Sequence, residues 1–159
     1  MNINQSQKAH FIKNGKKVER AFAKLFLLSE FATQDEDRNE HWDVKIPEFG
    51  KVDVKGLRKV QRSNDNPDEN LHWIEIKSVI GGNGWAYGDA DCFAFELIDY
   101  FLVVSKNNLQ RLIREKVQKT YVEKPEIYKL YQRNGRNDVI TLVKTIDLFY
   151  ICEALLKKN

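Results

Sequence analysis

Apolar residues recur at Phe11, Val18, Phe22 and Leu25, spaced by seven, four and three, and this predicts an amphipathic helix from about Gln5 to Phe31. At ~100° per residue, Glu19 falls at the edge of the apolar stripe, beside Gly15 and Phe26, so its carboxylate looks toward whatever the helix covers. The polar, acidic run FATQDEDRNE (31–40) predicts a loop. The period then changes to two. HWDVKI (41–46) and KVDVKG (51–56) flank PEFG, a β-hairpin pattern in which Gly50 takes the left-handed position that closes a three-residue loop. Residues 57–70 end in Asn, Asp and Pro and predict an exposed excursion before a third strand, HWIEIKSVI (72–80). The glycine-rich GGNGWAYGDAD (81–91) fits no regular element, whereas CFAFELI (92–98) and YFLVVS (100–105) predict two more strands joined through Asp99. Asn107 or Asn108 can start a helix running to about Gln118. EIYKLYQ (126–132) and DVITLVK (138–144) flank Asn134-Gly135, a second hairpin signal, and Thr145 can cap a last helix over 146–158. The order is α-β-β-β-β-β-α-β-β-α, an α+β chain without internal repeats.

A length of 159 residues fits one domain over 1–159, with a core at 13–118 and a C-terminal hairpin and helix at 121–159. With 42% hydrophobic and 31% charged residues the composition is that of a globular protein. Cys92 and Cys152 sit in separate apolar runs and read as buried thiols of a reducing compartment. No apolar stretch reaches the ~18 residues of a membrane span, and MNINQSQKAHF carries no signal-peptide segment, so the expected location is a cytoplasm. The 26 basic and 23 acidic residues leave only +3, but Lys13, Lys16, Lys17, Arg20 and Lys24 cluster, as do Lys55, Arg58, Lys59 and Arg62, and Arg111, Arg114, Lys116 and Lys119. Such clusters attract a polyanion, and a solvated helix face has the same composition.

The two acid-x-lysine patterns carry the candidate chemistry. Strand side chains alternate between faces, so Asp43 and Lys45 share a face, as do Asp53 and Lys55. With a loop Glu48-Phe49-Gly50, Pro47 pairs with Lys51, Lys45 with Asp53 and Asp43 with Lys55, and all four point one way. The aspartates then lie about 7–8 Å apart diagonally, within reach of one cation. Pairing of 72–78 with 51–56 would add Glu75 and Lys77 to that face. Clustered carboxylates resist joint ionisation unless a cation holds them, and an oxygen-only set favours Mg²⁺ or Mn²⁺. A lysine beside the ion orients a water and stabilises charge building on phosphorus, which suits hydrolysis of a phosphodiester. Alternating acids and lysines also occur as plain exposed cross-strand pairs.

A helix with Glu19 in KKVERAF, an aspartate on one strand and acid-x-lysine on the next resembles the PD-(D/E)xK nuclease superfamily, over approximately Lys13 to Ser105. HWDVKI, KVDVKG, WIEIKS and GNGWAYGDADCFAFE also look like small nuclease-like proteins of bacteriophages. The resemblance implies a restriction endonuclease-like fold, a central mixed sheet flanked by helices. It also implies Mg²⁺-dependent endonuclease action on DNA, with Asp43, Asp53 and Glu75 as metal ligands. Lys55 or Lys77 would position the water, and Glu19 would orient the water or a second ion. Members of the superfamily often pair two subunits to cut two strands, so a homodimer is one expectation. Two assignments stay open: Asp43 with Asp53-Val-Lys55, or Asp53 with Glu75-Ile-Lys77. The superfamily's usual helix after the acid-x-lysine strand is not evident, because GGNGWAYGDAD occupies its place.

Other residues are weaker candidates. His10, His41 and His72 lack metal-ligand spacing and read as strand-end residues in the latter two cases. GGNGW lacks the trailing Gly-Lys-Ser/Thr of a phosphate loop. Trp85 and Tyr87 read either as base-stacking residues or as anchors of their loop, and Asp89 and Asp91 either as groups that approach the metal or as turn caps. Two rival functions are a catalytically silent nuclease-fold module that binds nucleic acid or another protein, and an accessory protein that uses the acidic segments 35–40 and 65–69 as its contact surface.

Overall fold

A computed structural model describes residues 5–61 and 64–159, with side chains from Lys13 onward; His10, Phe11 and Arg62 lie outside the described side chains. The elements run α1 (Gln5–Ala23), β1 (Glu30–Phe31), α2 (Gln34–Glu40), β2 (Val44–Ile46), β3 (Gly50–Lys55) and β4 (Leu71–Lys77). A 3-10 turn (Trp85–Tyr87) leads into β5 (Cys92–Glu96), β6 (Tyr100–Ser105), α3 (Lys106–Lys116), β7 (Gln118–Val122), β8 (Lys129–Gln132), β9 (Val139–Lys144), α4 (Thr145–Tyr150) and β10 (Ala154–Lys157). The fold is α+β, built on two sheets. One is six-stranded in the order β1-β2-β3-β5-β6-β10, mixed because β3 and β5 run parallel; the other is β4-β9-β8-β7.

Alternation along the central strands divides the core in two. Val52, Val54, Cys92, Ala94, Phe101 and Val103 turn toward α1, where Phe22 and Ala23 cover them. Phe93, Phe95, Leu102 and Val104 turn the other way and pack against Ile74 and Val143 of the second sheet, Leu109, Leu112 and Ile113 of α3, and Leu148 of α4. Burial on both faces is what the unbroken apolar run of β5 requires. Because Asp53 pairs in register with Phe93 and Lys55 with Phe95, those two polar side chains share the second face with the aromatic rings. Among the described residues, no helix is long and apolar enough to cross a membrane.

Several expectations are corrected. The strand after the excursion does not join β3: β4 pairs antiparallel with β9, and β3 has β2 and β5 as neighbours. The acidic run 31–40 holds β1 and α2, because Thr33 and Glu36 form a reciprocal capping box and Asp35, Glu36 and Asp37 load the first turn, where the helix dipole favours acids. Helix α1 ends at Ala23, short of Phe31. The final helix stops at Tyr150, and 154–157 form an edge strand on β6. Residues 118–122, which begin where the helix started by Asn107 or Asn108 is expected to end and for which no strand is expected, form β7. The hairpin around Asn134-Gly135 forms as expected, with Tyr131 opposite Ile140 and Gly135 at φ +72°.

Candidate active site

The β2–β3 hairpin places the candidate acids. Its loop has three residues, as expected, but is displaced to Pro47-Glu48-Phe49, so Ile46 pairs with Gly50, Lys45 with Lys51 and Val44 with Val52. Gly50 sits at φ +73°, a backbone conformation open to glycine at no steric cost. Beyond Val44 the register does not continue: the Asp43 N–H donates to the Val52 carbonyl at 2.9 Å, and this sets Asp43 at the end of β2 beside Asp53. Both acids are nearly fully buried, at 8% and 4% exposure. Asp43 Oδ2 accepts a hydrogen bond from the Val54 backbone N–H at 2.7 Å, and the Asp43 carboxyl lies near enough to that of Asp53 to raise its pKa.

Lys55 lies on Asp53, Nζ to Oδ1 2.7 Å, and over the Trp85 ring, 4.3 Å from its centroid. Burial pushes the Asp53 carboxyl up to about 8; Lys55 pulls it down, and the Asp43 charge adds to the rise. Glu19 enters from α1, buried, and its pKa is raised first by burial and then by the Asp43 charge. Lys16 bonds Glu19 at 2.8 Å and reaches Asp37 of α2 at 3.4 Å. Burial pulls the Lys16 pKa down, and Glu19, Asp37 and Asp43 together leave it raised. The result is a row of three acids, Glu19, Asp43 and Asp53, with Lys16 at one end and Lys55 at the other, running from α1 to the face of β3.

Four of the six expected residues are thus brought together: Glu19, Asp43, Asp53 and Lys55. Glu75 and Lys77 belong to the second sheet, on either side of a register shift at the end of β4. Glu75 Oε1 accepts from the Trp85 backbone N–H at 3.4 Å, and Lys77 is exposed. Among the described residues, no group of three or more His, Cys, Asp or Glu side chains is arranged to hold a metal ion.

Two participants escaped the sequence. Lys16 reads there as one basic residue of a cluster, although its spacing of three from Glu19 is the helical signal of the pair. Trp85 reads as a stacking or anchoring residue, and no local pattern indicates that its ring covers Lys55. A groove of about 400 Å³ lined by Arg20, Ala23, Lys24, Phe26, Ser29 and Phe31 contains none of the candidate acids. Compared with protein-family models, with curated proteins and with solved structures, the chain matches none.

Proposed function

We propose that this chain is a Mg²⁺- or Mn²⁺-dependent endonuclease that hydrolyses DNA phosphodiester bonds, as its resemblance to the PD-(D/E)xK superfamily implies. The observation that carries the reading is the buried Asp43–Asp53 pair with the Lys55 ammonium on Asp53. Two neighbouring buried carboxyls, one of them pushed up to about 8, form a donor set that a hard divalent ion suits, since the ion's charge replaces the proton that burial favours. Asp43 and Asp53 would hold the ion; Glu75, on the second sheet, is left out of that set. When bound, the ion supplies Lewis acidity and lowers the pKa of water.

The chain's own residues do the rest. Lys55 has ammonium N–H groups free of Asp53 with which to orient water and to stabilise charge on the phosphoryl oxygens. Glu19, with its pKa raised by burial, is a proton acceptor one step back, held in place by Lys16. The basic residues of α1 and of segment 55–59 supply the attraction for a DNA backbone. The test is nicking of supercoiled plasmid with Mg²⁺ or Mn²⁺. Activity should vanish with chelator and in Asp53→Ala, and fall by about 10²–10⁴ in Lys55→Met. A folded wild-type protein inert on linear, nicked and branched DNA with both ions overturns the reading.

A silent nuclease-fold module that binds nucleic acid or protein is favoured by one observation: the Lys55 ammonium on Asp53 offsets the acid pair from within the chain. Calorimetric titration with Mg²⁺ separates the two, because a module without turnover has no use for the ion.

A further inference from the structure

We propose that Trp85 is a positioning residue for Lys55, and that Glu75 acts as the anchor of Trp85 instead of as a metal ligand. This rests on the nuclease reading of the Asp43–Asp53–Lys55 site and assigns the second acid-x-lysine segment a part in it.

The Lys55 ammonium is fixed on two sides, by Asp53 Oδ1 at 2.7 Å and by the Trp85 ring at 4.3 Å. The two contacts differ in kind. Asp53 takes one N–H as a hydrogen-bond acceptor, whereas the ring attracts the cation through its quadrupole and takes no directed hydrogen bond. A ring therefore pins the ammonium and leaves its remaining N–H groups for water or a phosphoryl oxygen. A third acid in the same place would hold the lysine equally well and cancel the charge the chemistry needs.

The indole is itself held. Its centroid lies 5.2 Å from Phe93 and 6.3 Å from Phe95, the register partners of Asp53 and Lys55. The sheet face that carries the acid and the lysine therefore also carries the aromatic floor on which Trp85 rests. The backbone is clamped from three sides. Glu75 Oε1 accepts the Trp85 N–H at 3.4 Å, Ile76 O accepts the Gly84 N–H at 2.9 Å, and Gln110 Nε2 of α3 donates to Ala86 O at 3.1 Å. Gly84 permits this approach: a Cβ there would lie 2.5 Å from the Glu75 carbonyl carbon and closer still to its oxygen. What Glu75 contributes is an acceptor for an N–H at the start of the 3-10 turn, a task for which its negative charge is not required. A metal ligand would need that charge.

The amide and the carboxylate thus give opposite outcomes for the two roles of Glu75. The contact is read first in metal-free protein without DNA, from the ¹H–¹³C signal of the Lys55 ε-methylene, assigned by its loss in Lys55→Arg. A ring at this distance moves that signal upfield of the other lysines. Trp85→Phe, which keeps a ring, should preserve most of the displacement. Trp85→Leu should return the signal to the common lysine position and lower kcat about tenfold with KM within about twofold. Glu75→Gln should keep both the signal and kcat, while Glu75→Ala should shift the signal partway and lower kcat several-fold. An unmoved signal in Trp85→Leu overturns the positioning role; a loss in Glu75→Gln as large as in Glu75→Ala overturns the anchoring role and restores Glu75 as a ligand. If wild-type protein shows the displaced signal but cuts nothing, the nuclease reading fails and the Trp85–Lys55 contact stands.

Discussion

The substitution Asp53→Asn tests the electrostatics of the site without requiring any catalysis. Burial, the largest influence, carries the Asp53 carboxyl from 3.8 to about 8, so the folded chain keeps a proton that the unfolded chain releases. The stability this gives is full below about pH 4 and is lost as the pH rises to about 8. His72 has the opposite sense: burial pulls it from 6.5 to about 4, and the folded chain refuses a proton that the unfolded chain accepts. Its term grows with pH from about 4 to 6.5, and over that window the two slopes oppose and largely cancel. Between about pH 6.5 and 8 the Asp53 slope stands without that opposition, and at ~1.36 kcal/mol per pH unit the metal-free protein loses about 2 kcal/mol. For a chain of this size that is about 4–8 °C in Tm. Thermal and urea unfolding in chelator across this range should show the decline in wild type. Asp53→Asn, which retains a donor toward Asp43 and has nothing to titrate, should stay level. Mg²⁺ at tenfold its Kd should return about 1.4 kcal/mol to wild type at pH 8 and little to the variant. Parallel stability curves for the two proteins from pH 6.5 to 8 would refute the raised Asp53 carboxyl.

Two further outcomes follow from the packing. His72 is 5% exposed, its Nε2 has no hydrogen-bond partner and its ring lies 5.2 Å from Phe95; His72→Phe should therefore remove the opposing slope and leave that of Asp53, so that in urea titrations the variant gains up to about 3 kcal/mol relative to wild type as the pH falls from 6.5 to 4. Gly84→Ala sets a methyl against the Glu75 backbone and should cost about 1–3 kcal/mol in the same assay, while displacing the Lys55 ε-methylene signal as Trp85→Leu does.

What the sequence disclosed depends on how far each feature reaches along the chain. The β2–β3 hairpin was legible because a period-two pattern, a three-residue turn and a glycine in the left-handed region fall within sixteen residues, 41–56. The predicted loop was displaced by one residue, yet Asp43 and Asp53 still share a face. Shifting a three-residue loop by one moves the partner numbers by two, and strand faces repeat every two. Helix α2 was legible in principle, since Thr33-x-x-Glu36 is a capping box, but the polar composition of the run concealed it. The C-terminal run Ala154–Lys157 was not legible: a short apolar stretch suits helix or strand, and what decides it is the open edge of β6 a long way back in sequence.

The pairing of β4 with β9 instead of β3 has its cause in the two faces of each strand. The centre of a sheet covered on both sides needs a strand that is apolar at every position. Cys92–Phe95 meets that need, with all four residues buried, whereas Leu71–Lys77 alternates between buried His72 and Ile74 and partly exposed Trp73 and Glu75. Alternation of that kind suits an outer layer, so β5 takes the place beside β3 and β4 is assigned to the second sheet. The same sorting separates the two acid-x-lysine segments that look equivalent in the sequence. Asp53-Val-Lys55 is carried into the interlayer core, where burial and a facing aspartate perturb it, and Glu75-Ile-Lys77 is left at the end of an outer strand, where Glu75 reaches the site through Trp85. A repeated motif therefore marks two functions or one according to the hydrophobicity of the strand that claims the place beside it, and β5 settles that here.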